Sequence, residues 1–118
     1  MPEDAGQEMK ARLRADLRTA MKEKRTTDAQ VIRALVAAID NAEAPAISAD
    51  QVAPAPHSFH SGSAEVERLL LTKSQVRDVL MAEIHERERV AAELEHRSML
   101  DRAKTLRAEV AIAKRYLE

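Results

Sequence analysis

The sequence predicts an all-α protein made of an N-terminal helical hairpin and a small three-helix bundle. Apolar residues recur every three or four positions through most of the 118-residue chain, and no stretch shows the alternation of a half-buried strand. Only 2% of the residues are aromatic, so the core must come from aliphatic and Ala side chains, which suits closely packed helices. A chain of this length is expected to form one domain.

The first helix is predicted to span about residues 7–25, after a frayed leader over residues 1–7. Its apolar residues fall four positions apart, which places them on one face and predicts that this face is buried. This apolar row consists of Met9, Leu13, Leu17 and Met21. One position further along, a row of the same spacing is basic, so a cationic ridge is predicted beside the buried face. The ridge consists of Lys10, Arg14, Arg18 and Lys22, extended by Arg25.

The second helix is predicted over residues 28–43. Thr27 and Gln30 have the spacing of a capping box, in which a hydroxyl and an amide bind free N–H groups at a helix start. The apolar positions follow the helical period and comprise Ile32, Leu35, Val36 and Ile39. Because the connection over residues 25–28 is short, the two helices are expected to pack antiparallel.

Residues 44–62 are predicted to be a linker. They contain Pro45, Pro54 and Pro56 together with several serines, and no apolar period continues through them. Three prolines do not fit into the interior of a stable helix, although a short helical turn at Ser48 to Val52 is compatible with them.

Residues 63–118 are predicted to form the three-helix bundle. Its first helix is short, from Ser63 to Leu70, and its second begins at a capping box of Thr72 and Gln75 and ends near residues 95–97. A further capping-box pattern, Ser98 with Asp101, starts the last helix. The apolar positions of that helix alternate steps of four and three residues and are Met99, Ala103, Leu106, Val110, Ala113 and Leu117.

The charge is distributed unevenly along the chain. The formal net charge is −1, yet residues 8–25 hold seven Lys or Arg against three acids, a local net of +4 that leaves −5 for the remainder. An ordinary solvated helix face and a phosphate-binding ridge both account for the repeated cations. The single sign along one face favours phosphate contact through charge.

Few catalytic chemistries fit the composition, and no catalytic residue, metal site or cofactor is predicted. There is no Cys, and two glycines cannot make a Gly-rich phosphate loop. His57 and His60 lie in the Pro-rich linker with no carboxylate nearby, and His85-Glu86 lacks the second histidine of a zinc-protease motif, since Arg89 stands there. The glutamates of the region around residues 83–95 interleave with arginines and predict an ion-paired, solvated face.

The N-terminal residues also bear on where in the cell the protein is located. It is acidic and has no apolar run, and no stretch approaches the roughly 18 apolar residues of a membrane span. We therefore expect a soluble, cytoplasmic protein without contact to a membrane.

Two segments resemble the GatB/YqeY family. The run Leu17-Arg18-Thr19-Ala20-Met21-Lys22-Glu23-Lys24, then residues 32–39 with Asn41 and Glu43, is similar to the opening hairpin of that family, and residues 97–117 are similar to its closing helix. The chain departs from the family pattern at His96, at Glu118 and in its longer linker.

The resemblance implies a helical hairpin joined to a three-helix bundle. It also implies kinship with the C-terminal region of the B subunit of glutamine-dependent aminoacyl-tRNA amidotransferases, which contacts tRNA. Carbon–nitrogen ligase activity with glutamine as amido-N-donor is implied as well, although the chain contains no visible catalytic constellation.

The leading hypothesis is therefore a tRNA-associated accessory domain, with amidotransferase or aminoacyl-tRNA synthetase components as further partners. A helical protein-interaction module without nucleic-acid binding is the alternative, and an amide-transfer enzyme is the third candidate. The residues expected to contact RNA are basic and are Lys10, Arg14, Arg18, Lys22, Lys24, Arg25, Arg33, Lys104 and Arg107. The last two are expected to contribute if the final helix lies alongside the first.

Overall fold

A computed structural model describes residues 4–45 and 67–117. Within these ranges the chain forms four α-helices and no strand, so the all-α prediction is confirmed. The elements are α1 (Ala5–Lys22), α2 (Thr26–Glu43), α3 (Lys73–His96), α4 (Leu100–Lys114) and a 3-10 turn (Arg115–Leu117). None of the helices in the described ranges has both the length and the apolar character that crossing a bilayer requires.

Helix α1 begins earlier and ends earlier than predicted. The carboxylate of Asp4 accepts a hydrogen bond from the backbone N–H of Gln7 at 3.1 Å and caps the helix, which starts at Ala5. The frayed leader is therefore wrong for residues 5–7, whereas residues 1–3 lie outside the described ranges. The helix ends at Lys22, three residues before the predicted end at Arg25.

Both helical hairpins close through the same backbone arrangement, the Schellman motif. In the first turn Lys24 has a φ of 60°, the Arg25 N–H donates to the Ala20 carbonyl at 2.8 Å, and the Lys24 N–H donates to the Met21 carbonyl at 3.2 Å. In the second turn Ser98 has a φ of 63°. The equivalent bonds there are Met99 N to Leu94 O at 2.8 Å and Ser98 N to Glu95 O at 3.0 Å.

These turns correct two of the three predicted capping boxes. Helix α2 is preceded by Arg25 and helix α4 by Met99, and neither residue makes a side-chain capping bond, so the boxes at Thr27 and Ser98 are wrong. The box at Thr72 and Gln75 is confirmed, with both reciprocal bonds formed. It forms because α3 follows a non-helical segment, whereas the other two starts are already fixed by the preceding helix.

The segment that enters α3 is not helical where the structure describes it. Residues 67–70 have no helical bonds, so the predicted helix from Ser63 to Leu70 is wrong for its last four residues, and residues 63–66 lie outside the described ranges. The Leu69 N–H donates to the Glu43 carbonyl at 2.8 Å, and the Ala5 N–H donates to the Leu71 carbonyl at 3.0 Å. This segment therefore joins the end of α2 to the start of α1.

Most of the predicted linker cannot be compared with the structure. Residues 44 and 45 are non-helical, as expected, while residues 46–62, with the proposed turn at Ser48 to Val52 and the pair His57 and His60, lie outside the described ranges.

All four helices contribute to one core. The first hairpin supplies Leu13, Leu35 and Ile39, and α3 supplies Leu80 and Ile84, each of them at most 1% exposed. Helix α1 packs on α2 and α3, while α4 packs on α2 and α3. The hairpin and the second half of the chain therefore form a single four-helix unit.

The apolar row of α1 is buried only in part. Leu13 is fully buried and Met9 and Leu17 are half-buried, but Met21 is 54% exposed, so its predicted burial is wrong. Four residues of an α-helix rotate by about 400°, so each step of four moves a residue about 40° around the axis. Three such steps carry Met21 away from the face that Met9 and Leu13 occupy.

Candidate nucleic-acid interface

The exposed cations of α1 lie on successive helical turns. Arg14, Arg18 and Lys22 are exposed, and none of them forms an ion pair with another described residue. Their spacing of four residues corresponds to about 6 Å along the helix axis. These three side chains therefore present a row of uncompensated positive charge to solvent, as predicted for this part of the ridge.

Lys10, the first residue of the predicted ridge, is not part of this surface. It is 1% exposed, and its Nζ lies 2.6 Å from Asp40 Oδ1 and also contacts the Glu43 carboxylate. Lys10 and Met21 are eleven residues apart and so lie within about 20° of each other around α1, but Lys10 lies near the start of the helix, where Asp40 and Glu43 at the end of α2 contact it. The prediction that Lys10 contacts a polyanion is wrong, since its charge is already neutralised inside the protein.

The turn after α1 contributes one free cation rather than two. Lys24 is exposed and makes no ion pair with a described residue. Arg25 lies between two carboxylates, with its Nε 3.1 Å from Glu23 and its Nη1 3.5 Å from Asp28. Arg25 is therefore less suited to bind phosphate than predicted.

Arg33 joins the row from the neighbouring helix. It is exposed on α2, and its Nη2 lies 3.5 Å from the Sδ of Met21. This contact places the Arg33 guanidinium next to Met21, the residue before Lys22. We name the resulting surface the cationic face; it consists of Arg14, Arg18, Lys22, Lys24 and Arg33.

The two predicted cations of α4 lie apart from this face. Helix α4 has no contact with α1 within the described part of the chain, so the condition under which Lys104 and Arg107 were expected to contribute is not met. Arg107 is moreover engaged by both carboxylate oxygens of Glu95, at 2.8 and 2.7 Å. Lys104 is exposed but remote from the row on α1.

A buried polar cluster around Glu43 was not predicted. Glu43 is 2% exposed, accepts two hydrogen bonds from Gln7 Nε2 at 3.2 and 3.1 Å, pairs with Lys10 and lies 3.5 Å from Arg68 Nε. A Cβ at Gly6 would overlap the Glu43 carboxylate, so only glycine fits there without displacing this group. The signal for this cluster in the sequence was Lys10 itself, a cation that lies between Met9 and Leu13 of the apolar row.

A second unpredicted cluster fixes the 3-10 turn on the first hairpin. The Tyr116 hydroxyl donates to Asp16 Oδ2 at 2.6 Å, and the Arg12 guanidinium lies 4.7 Å above the tyrosine ring. Arg115 Nη1 reaches Asp28 Oδ2 at 3.3 Å. Burial, and then the bond to the Asp16 carboxylate, raise the pKa of Tyr116 well above its ordinary value.

The burial of this tyrosine leaves the cationic face without a tyrosine ring on which a base could stack. Tyr116 is the single Phe, Trp or Tyr in the described ranges and is 3% exposed, with its hydroxyl donating to Asp16. Stacking on exposed aromatic rings is the usual way in which proteins hold unpaired bases. Within residues 4–45 and 67–117, the cationic face therefore offers charge without a stacking platform.

The glutamates of α3 form the predicted ion-paired face. Each pairs with a cation, and the pairs are Glu83–Arg87, Glu86–Arg89, Glu88–Lys114, Glu93–Arg97 and Glu95–Arg107. Hydrogen bonds from Arg89 and Arg107 hold the pKa values of Glu86 and Glu95 below the ordinary range. Within the described ranges no group of three His, Cys, Asp or Glu side chains is arranged to hold a metal ion.

Comparison of the chain with protein-family models, with curated proteins and with solved structures gives no match. Functional inference therefore rests on the cationic face itself and on the resemblance in the sequence.

Proposed function

We propose that this protein is an RNA-binding accessory module that associates with tRNA in the cytoplasm. The supporting observation is the cationic face, where five exposed Lys and Arg side chains lie together and no described carboxylate pairs with any of them. Most arginines elsewhere in the described chain are neutralised by carboxylates. Uncompensated charge on a solvent-exposed helix is the feature that phosphate contact requires.

The proposed mode of binding is contact with the phosphate backbone. Arg14, Arg18 and Lys22 project from a rigid helix at a regular spacing, which orients them toward successive phosphates rather than toward base edges. Since the residues of the cationic face are all Lys or Arg and the described ranges hold no exposed Phe, Tyr or Trp, the module is expected to recognise folded, base-paired RNA by charge and shape.

The resemblance to the GatB/YqeY family supplies the context for this proposal. In that context the module presents tRNA to a glutamine-dependent amidotransferase or to aminoacyl-tRNA synthetase components, and carbon–nitrogen ligase chemistry belongs to the partner. The alternative is a helical protein-interaction module that does not bind nucleic acid.

A filter-binding titration with tRNA at low salt tests the proposal. We expect Arg14→Gln combined with Arg18→Gln to weaken binding by about tenfold or more. The dependence of log K on log salt should also fall by about one for each phosphate that the variant no longer neutralises. The matched control is Arg89→Gln combined with Arg97→Gln, which removes the same charge from ion-paired, exposed positions on α3.

Equal weakening by the control pair would mean that net charge, rather than the cationic face, drives association. No tRNA binding at low salt would refute the proposal and favour the protein-interaction alternative. A second variant, Lys10→Met, is a negative control, because Lys10 belongs to the basic ridge predicted from the sequence but is buried in the structure. Because Lys10 is buried, its loss should change stability and leave the affinity of the folded protein for tRNA unaltered.

A further inference from the structure

A half-open groove lies on the other side of α1 from the cationic face. It has a volume of about 530 Å³ and is walled by α1, by the start of α3 and by the 3-10 turn. Its apolar lining includes Met9 and Leu117, which are half-buried, and Val76 and Leu80, which are buried. The groove therefore leaves aliphatic surface accessible between two helices.

Two arginines at the rim of this groove lack carboxylate partners. Arg12 donates to the Arg115 carbonyl at 3.2 Å, and Arg77 donates to the Leu117 carbonyl at 2.9 Å. Neither guanidinium lies within ion-pair distance of a carboxylate among the described residues. Each side chain is thus held in place by the backbone of the 3-10 turn while most of its donor groups remain available.

Two further charged residues, Lys73 and Glu8, lie on the rim of the groove. Lys73 already has an interaction partner, so it is not counted as an available cation. Glu8 lies on the same rim and makes no ion pair with a described residue. The rim therefore has two anchored guanidinium groups and one carboxylate, which leaves a net positive charge.

We propose that this groove binds an amphipathic helix of a partner protein that carries an acidic side chain next to its aliphatic face. Helical walls and an apolar floor suit the packing of a third helix, with aliphatic side chains entering the groove. The acidic side chain is bound by the guanidinium groups of Arg12 and Arg77, which line the groove and pair with no described carboxylate.

The groove and the cationic face can be occupied together. Arg12 and Arg14 are two residues apart on α1, which separates them by about 200° around the helix axis. A partner helix bound at Arg12 therefore leaves Arg14 and Arg18 open to RNA. Binding of a helix in the groove does not require RNA on the cationic face.

Two short synthetic helical peptides provide the test. They share the same aliphatic residues, and one carries Glu where the other carries Gln. Titrated into the full-length ¹⁵N-labelled protein, the Glu peptide should shift the amide signals of Met9, Val76 and Leu117 and bind at least about tenfold more tightly than the Gln peptide, the ratio expected for one charge-assisted hydrogen bond.

The substitution Arg77→Gln should abolish this preference for Glu, and Arg12→Gln should reduce it, whereas the matched control Arg14→Gln on the opposite side of α1 should not change it. Circular dichroism establishes that each variant is folded. Equal affinity for the two peptides, signal shifts outside the groove, or no shift at millimolar peptide would overturn the proposal. Equal effects of Arg14→Gln and Arg77→Gln would overturn it too, because they would show attraction by net charge only.

Discussion

The four-helix body and the tip of the second hairpin are built by different means. The body is the region where all four helices meet, and it buries large aliphatic side chains such as Leu13, Leu35 and Ile84. The tip comprises residues 88–107, the end of α3, the turn at Ser98 and the start of α4. Its buried residues are Ala91 and Ala103, at 0% and 1% exposure, and neither belongs to the core cluster of the body.

The tip is held by close helix contact and by exposed ion pairs. Ala91 and Ala103 have no long side chain, so the two helices can approach closely at these positions, while Glu95–Arg107 bridges them at the surface with both side chains more than 40% exposed. Exposed ion pairs contribute about 0–1 kcal/mol each, whereas burying one Leu contributes about 1.5–3 kcal/mol. The body should therefore hold most of the stability, and the tip should open first.

Truncating one leucine in each region should show the largest contrast. Leu13→Ala leaves a cavity among fully buried neighbours and should lower the free energy of unfolding by about 3–4 kcal/mol, as buried Leu-to-Ala changes do. Leu106→Ala removes a half-buried side chain of the tip and should cost about 1 kcal/mol. Urea denaturation of the two variants measures both values. Similar losses would show that the tip is as well packed as the body.

Removing the buried cation should have the next largest effect. Lys10→Met keeps the volume of the side chain but leaves Glu43 without its closest cationic partner, so we expect a loss of about 3 kcal/mol in urea denaturation. The double variant with Glu43→Gln should recover part of this loss, because the uncompensated charge is gone. A Lys10→Met protein within about 0.5 kcal/mol of the original would contradict the buried-pair interpretation.

Glycine in the two turns should stabilise both regions by a smaller amount. Lys24 and Ser98 both have a positive φ, which costs a residue with a Cβ about 1 kcal/mol relative to glycine. Lys24→Gly and Ser98→Gly should each raise the free energy of unfolding by about 0.5–1 kcal/mol in thermal or urea melts, less the entropy that glycine adds to the unfolded chain. Ser98→Ala is the control and should give no gain; a gain equal to that of glycine would exclude relief of backbone strain.

The two regions should lose stability at opposite ends of the pH range, the body at alkaline pH and the tip at acid pH. The raised pKa of Tyr116, in the body, gives stability that is complete below about pH 10 and declines above it as the unfolded chain ionises more readily. The lowered pKa of Glu95, in the tip, gives stability that is present above about pH 4.3 and is lost as the pH falls through its folded-state pKa.

Melting temperatures measured across pH test this assignment. Tyr116→Phe should flatten the alkaline decline and Glu95→Gln should reduce the acid decline, each without changing the other limb. An alkaline limb that is unchanged in Tyr116→Phe would mean that other groups cause the loss of stability.

The sequence determined the helices, and with them the fold class. Apolar spacing gave four of the five predicted helices, and the Thr72 capping box was identified because its bonds are local to a few residues. The sequence also placed Arg14, Arg18 and Lys22 on solvent, since a charged row beside an apolar row can be read from helical geometry alone.

Only the tertiary structure decided which members of each row are buried. Lys10 and Met21 lie within about 20° of each other around α1, yet they exchanged their predicted environments, because Asp40 and Glu43 at the end of α2 contact Lys10 near the start of the helix while Met21 at its other end is 54% exposed. The hydrogen bonds that close the turns at Lys24 and Ser98 could likewise not be predicted from the sequence, since neither turn has the glycine that usually marks a Schellman motif. Local spacing fixes a helix, but burial depends on what packs against it.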